Sequence, residues 1–180
     1  SSGLPVSYTA ATPASVCALD SGKVKTVGVG QCTVTASQGG NGNFNPALSL
    51  SSTFNVIYRW DGFLQPVNDT AHTGGYESKF KTGSTVPLKF QLKNALGTPL
   101  QQLTPPTFSR GTNRGSCDTY TNTETVAADD PTAGAEYRWD SSAQQYIYNF
   151  STKNLTAGEY RVYAGLGDGI TYSVDICLTK

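Results

Sequence analysis

Apolar and polar residues alternate in short runs along the whole chain, and turn-forming residues separate the runs. In the first third, residues 4–9 alternate as Leu-Pro-Val-Ser-Tyr-Thr. Residues 16–19 follow the breaker Thr12-Pro13, and residues 24–29 follow Asp20-Ser21-Gly22. Beyond Gly30, alternation puts Cys32, Val34 and Ala36 on one face of a strand. A loop rich in Gly and Asn (residues 39–43) comes next, and residues 53–58 close the region with Phe54 and Val56 facing one way. Strands bounded by turn signals every roughly 8–12 residues mark a β-sandwich.

The pattern continues to the C-terminus. Residues 86–92 put Val86, Leu88, Phe90 and Leu92 on one face and Pro87 and Lys89 on the other. A proline inside such a run predicts an edge strand or a strand start. Residues 94–97 form a turn and 101–106 a loop. Residues 146–150 alternate aromatics, and Ala157-Gly158 leads into a strand over 159–164. Asp168-Gly169 predicts a two-residue type I′ hairpin between that strand and residues 170–178. The tetrapeptide Tyr58-Arg59-Trp60-Asp61 recurs as Tyr137-Arg138-Trp139-Asp140. It reads as two strand ends in which the tryptophan packs while arginine and aspartate face water. The first copy sits at a boundary without a flexible spacer, so the division expected is 1–58 and 59–180, a semi-rigid pair.

Composition sharpens the fold and removes functions. Forty hydroxyl residues, 23 Thr and 17 Ser, join 19 Gly and 10 Tyr, with no Met. Tyr and Thr favour strands, and Gly and Ser favour turns. The expected class is therefore all-β: two small β-sandwiches in tandem. Only 14% of residues are charged, with 13 cations balancing 13 anions. That argues against a nucleic-acid binder. No run approaches the ~18 apolar residues of a membrane helix, so no membrane insertion is expected. The start at Ser1-Ser2-Gly3, without Met, reads as a processed piece of something longer.

Cys17, Cys32, Cys117 and Cys177 form no C-x-x-C pair, which disfavours zinc. Four cysteines allow three connectivities. The economical one is Cys17–Cys32 and Cys117–Cys177, one disulfide inside each module. Disulfides imply an oxidising, extracellular or cell-surface location.

Candidate chemistry is sparse. His72, the only histidine, would have to be the base of any Ser-His-Asp triad. It lies in a stretch that reads as an exposed loop, and no Gly-x-Ser-x-Gly elbow exists. Asp129-Asp130, the one adjacent acidic pair, reads as a solvated turn or a weak calcium site, with Asp118 or Glu124 as further ligands. Lys89 is a formal candidate for an isopeptide crosslink, but alternation turns it away from the apolar face. Trp60, Trp139, Tyr137 and Tyr146 are the candidate glycan contacts, on the condition that they form an exposed row. Tyr148, Tyr160, Tyr163 and Tyr172 are further aromatics of the same kind, and core packing is the competing reading. Asn68, Asn149 and Asn154 head Asn-x-Ser/Thr triplets, which arise readily by chance in such a chain. No cofactor is expected and no enzyme activity.

Two stretches resemble known families. Gly3-Leu4-Pro5-Val6, Thr12-Pro13 with Val16-Cys17, Gly30 to Ala36, Gly42 to Ala47 and Phe54-Asn55-Val56 together resemble a bacterial immunoglobulin-like repeat over residues 3–57. The resemblance implies a small sandwich whose two cysteines join neighbouring strands, usually strung in tandem on surface proteins. Gly62 to Asn68, Lys81 to Phe90, Gln145 to Lys153, Leu155 to Gly158 and Gly167-Asp168-Gly169 resemble the PxKF-type domain of secreted prokaryotic proteins, over residues 61–180. Residues 101–135 depart from that pattern. The resemblances imply a non-catalytic stalk, spacer or assembly element of a larger surface or filament-associated protein. Its expected partners are neighbouring domains or subunits, through exposed strand edges. The alternative is an accessory carbohydrate-binding region of a secreted hydrolase.

Overall fold

A computed structural model describes residues 2–94, 96–117, 121–126 and 130–180. The chain is nearly all β and divides into two compact units, Ser1–Ile57 and Tyr58–Lys180.

The first unit holds a three-stranded antiparallel sheet of β1 (Ser7–Thr12), β4 (Gly30–Gln38) and β5 (Ala47–Val56), in the order β1-β4-β5. A two-stranded ribbon, β2 (Cys17–Asp20) and β3 (Lys23–Thr26), lies apart from it in hydrogen bonding. The register sets Cys32 opposite Phe54 and Ala36 opposite Leu50, and pairs Tyr8 with Ala36. One face of the sheet is thus apolar. The other carries hydroxyls that bond across strands, Thr33 to Thr53 at 2.9 Å and Thr35 to Ser51 at 2.8 Å. The last strand starts at Ala47, well before the expected Thr53. Leu48 and Leu50 therefore belong to the sheet yet are 98% and 74% exposed. Among the described residues the buried core is Val16, Cys17 and Cys32, with Val34 and Val56 against it. Cys17 and Cys32 are disulfide-bonded, Cα to Cα 5.9 Å. The short ribbon covers the disulfide end of the apolar face and leaves the rest open.

The second unit is a sandwich of two sheets. One has the order β10-β7-β14-β13-β9, built from β7 (Glu77–Lys81), β9 (Thr107–Arg110), β10 (Thr121–Thr123), β13 (Gly158–Gly165) and β14 (Tyr172–Thr179). The other has the order β11-β12-β8-β6, from β6 (Arg59–Leu64), β8 (Thr85–Lys93), β11 (Arg138–Asp140) and β12 (Gln145–Ser151). The alternation in β8 does what its sequence requires. Val86, Leu88, Phe90 and Leu92 are fully buried, and Pro87, Lys89 and Gln91 between them are only half-buried. Aromatics fill the core around Phe90, with Trp60, Tyr137 and Tyr146 ring centroids 4.8, 4.9 and 5.3 Å away. Cys117 and Cys177 are joined, so each unit has one internal disulfide.

Three local expectations change. First, β8 is an interior strand despite Pro87. Pro87 lies opposite Asn149, whose own N–H and C=O bond Thr132 instead. On its other side the ladder to β6 has already ended at Leu64–Lys89. A proline there removes no ladder bond. Second, Asp168-Gly169 is not a two-residue hairpin. The last pair is Ala164–Tyr172, and a longer loop intervenes. Buried Asp168 accepts bonds from the Tyr172 hydroxyl at 2.7 Å and the Ile170 N–H at 3.1 Å, so its carboxylate shapes the loop. Third, residues 101–135 include β9 and β10, which widen the first of the two sheets. Tyr58 packs against the core of the second unit.

Candidate functional site

The aromatic candidates are distributed through the core of the second unit. Tyr137 and Tyr146 are each 1% exposed. Burial, and secondarily Tyr148, pushes the Tyr137 hydroxyl far above the ordinary phenol range. Trp60 and Trp139 are half-buried, Trp60 edge-on to Phe63 and Trp139 edge-on to Tyr146 at 5.0 Å. No exposed planar row forms from these four side chains. Alternation alone does not distinguish a sugar-facing aromatic strand from a core-facing one. Trp139 lines a cleft of about 310 Å³ with Glu136 and Arg138, and the buried Tyr137 and Tyr146 close its inner side. The repeated tetrapeptides occupy β6 and β11, the two edges of one sheet. Asp61 is held below the usual carboxylate range by Lys93 at 2.8 Å and Arg59 at 3.2 Å.

His72 sits in a single helical turn, α1 (Thr70–Thr73), not in a structureless loop. Its Nδ1 lies 3.0 Å from Oδ1 of Asp69, a carboxylate with 1% side-chain exposure. The other Asp69 oxygen accepts the Phe63 N–H at 2.9 Å. Buried Asp69 therefore ties α1 to β6. Gly62 makes the approach possible, because at φ +97° a Cβ there would stand 2.8 Å from the His72 Cβ. Thr73 donates to Asn68 Oδ1 at 2.9 Å and to the Asp69 carbonyl at 2.8 Å. No hydroxyl or thiol is hydrogen-bonded to His72 among the described residues. The carboxylate-histidine pair was missed in the sequence, although Asp69 and His72 stand three residues apart.

On the outer side of the five-stranded sheet, Arg161 grips Asp175 through two bonds of 2.8 and 2.6 Å, and Arg114 reaches both Asp175 and Glu159. Burial alone would raise the Asp175 carboxyl, but the two guanidinium groups outweigh it and hold it low. A carboxylate with a depressed folded-state pKa stabilises the fold above its unfolded value, about 3.9, and loses that contribution as pH falls through the folded value. Asp175→Asn is therefore expected to lower the melting temperature of the second unit at pH 7. The gap from the parent should shrink in melts below about pH 4.

Of the acidic pair, Asp129 lies outside the described residues, as does Asp118. Asp130 is exposed, and its carbonyl accepts a bond from the Asn149 side chain at 3.0 Å. Asn68 is 7% exposed and donates to Gly74 and Tyr76 carbonyls, and Asn149 is 8% exposed. Neither amide is open to glycosylation in the folded state; Asn154 is exposed. No group of three or more His, Cys, Asp or Glu side chains suited to a metal ion occurs among the described residues.

No protein-family model and no curated protein sequence matches the chain. Among solved structures, it is similar to domains 4 and 5 of the S-layer protein SbsC, at 13% identity over 99% of this chain and 72% of that one, with a TM-score of 0.31. A longer SbsC structure aligns at 10% identity, TM-score 0.28, over 99% of this chain and 20% of that one. The N-terminal eight immunoglobulin domains of Down Syndrome Cell Adhesion Molecule align at 13% identity, TM-score 0.29, over 98% of this chain and 21% of that one. The fold class is established on the molecule's own strands and sheets: an all-β chain of two units with one disulfide in each.

Proposed function

We propose that the chain is a non-catalytic structural module of an extracellular assembly, in which a neighbouring module covers the open face of the first sheet. The observation that carries this is the state of that sheet. Strands β1, β4 and β5 contain no charged residue. On the apolar side, Tyr8, Leu50 and Phe54 are 51, 74 and 40% exposed. The outer edge of β5, ten residues long, has no strand partner among the described residues. Such an edge and face invite another chain unless they are charged, bulged or covered. The low charge density lessens repulsion between packed modules. The two disulfides support an oxidising location. The resemblances of residues 3–57 to immunoglobulin-like repeats and of 61–180 to PxKF-type domains support a surface or filament role.

Leu50→Lys tests the reading. On an exposed site, it should change the stability of the isolated chain by no more than about 0.5 kcal/mol. In the assembled state its ammonium would be buried without a partner, which is strongly unfavourable. The expected result is a stable protein that no longer enters the surface material of producing cells. A stable variant that still assembles at the parent level would overturn the proposal.

A further inference from the structure

The core explains why Leu88 and Phe90 stand in the Pro-x-Lys-Phe segment, but it does not use Pro87 or Lys89. Both point to the opposite face of β8, where they line a groove of about 510 Å³. Arg138 lines it too. Lys89 and Arg138 each register with Ile147, from β8 and β11 on either side of β12. Their Cα atoms are thus about two strand spacings, roughly 10 Å, apart. Ile147 forms an apolar floor between them, and the side chains of Gln145 and Asn149 complete the wall.

We propose that this groove binds an acidic polysaccharide, with Lys89 and Arg138 taking its carboxylates. Three observations carry the assignment. Lys89 and Arg138, the cations that line the groove, are in no ion pair among the described residues. The carboxylate of Asp140, which acts on Arg138 at longer range, spends Oδ1 on the Ser142 hydroxyl at 2.6 Å and the Ser142 and Ala143 N–H groups. Finally, Asn149 is 8% exposed and its Oδ1 has no hydrogen-bond partner among the described residues, while its Nδ2 is bound to the Asp130 carbonyl. An unpaired acceptor in the wall is satisfied by a donor. A carboxylate supplies none, but a sugar hydroxyl does. The groove therefore matches a ligand that brings carboxylates and hydroxyls together. The inference does not depend on the assembly role proposed above.

Calorimetric titration of the whole chain with polygalacturonate oligomers, neutral dextran and polyglutamate tests it. Binding to polygalacturonate alone is expected, weakening as salt rises. Lys89→Gln and Arg138→Gln should each reduce affinity about tenfold or more, while Lys89→Arg retains it. Both side chains lie at the surface, and thermal melts confirm that the variants fold. No binding by the parent chain, equal binding of polyglutamate, or loss on Trp139→Ala with none on Lys89→Gln and Arg138→Gln would each overturn the proposal.

Discussion

Replacing Cys17 and Cys32 together with serine is expected to unfold residues 1–57 while the second unit keeps its own transition. In the chain-entropy model, a closed loop of 15 residues contributes about 3 kcal/mol. The packing has little in reserve to replace it. Among the described residues, two of the three buried apolar side chains of this unit are the cysteines themselves, and modules of about 60 residues are marginal even when their sheets are fully covered. Serine adds a further loss, since Cys17 and Cys32 are 1% and 0% exposed and their replacements would bring hydroxyls into the same site. Hydrogen exchange followed by mass spectrometry separates the two units by peptide. The expected result is lost protection in β4 and β5 with β8, β12 and β14 unchanged. Protection retained across β4 would show that the sheet stands without its staple.

The second large effect is at Phe90. Its ring is fully buried and touches the rings of Trp60 and Phe63 in β6, Tyr146 in β12 and Tyr137 just before β11, so it ties these segments together through the core. Truncation to alanine removes the transfer free energy of the ring and leaves a cavity that these neighbours refill only in part. The expected cost is about 3–5 kcal/mol of second-unit stability. Leu103→Ala, at a fully exposed position, should stay within about 0.5 kcal/mol. Urea titration followed by tryptophan emission reports it, because Trp60 lies 4.8 Å from Phe90. A cost below about 1 kcal/mol would mean that the aromatic cluster is not the centre of the core.

These effects fall where the sequence was most legible. Strands β8 and β13 alternate between buried and less buried positions, β12 is buried at five successive positions, and their apolar content alone announces all three. The pairing of the cysteines was legible for a related reason, because near neighbours in sequence occupy one module. Strand β7 was missed. It reads Glu-Ser-Lys-Phe-Lys, and its buried Glu77 and Ser78 break the apolar pattern. Strands β9 and β10 were missed because they are short and hydroxyl-rich and owe their extension to partners far along the chain. The hairpin at Asp168 failed for the converse reason. A strong local turn signal lost to a carboxylate that bonds Tyr172.

The candidate sites follow the same division. Tyr137 and Tyr146 carry both a binding and a core reading in sequence, with core packing the favoured one, and the fold buries both. Lys89 and Arg138 stand about 50 residues apart in sequence and come to one face only through the register of β12. By contrast, the outward aim of Lys89 was visible from its flanking Leu88 and Phe90.

The most direct test of the whole account is proteolytic mapping of native, unreduced protein with its thiols blocked on isolation. The account predicts no blocked cysteine and only two crosslinked peptide pairs, Cys17 with Cys32 and Cys117 with Cys177. Four blocked thiols, or a bridge running from one unit to the other, would contradict it.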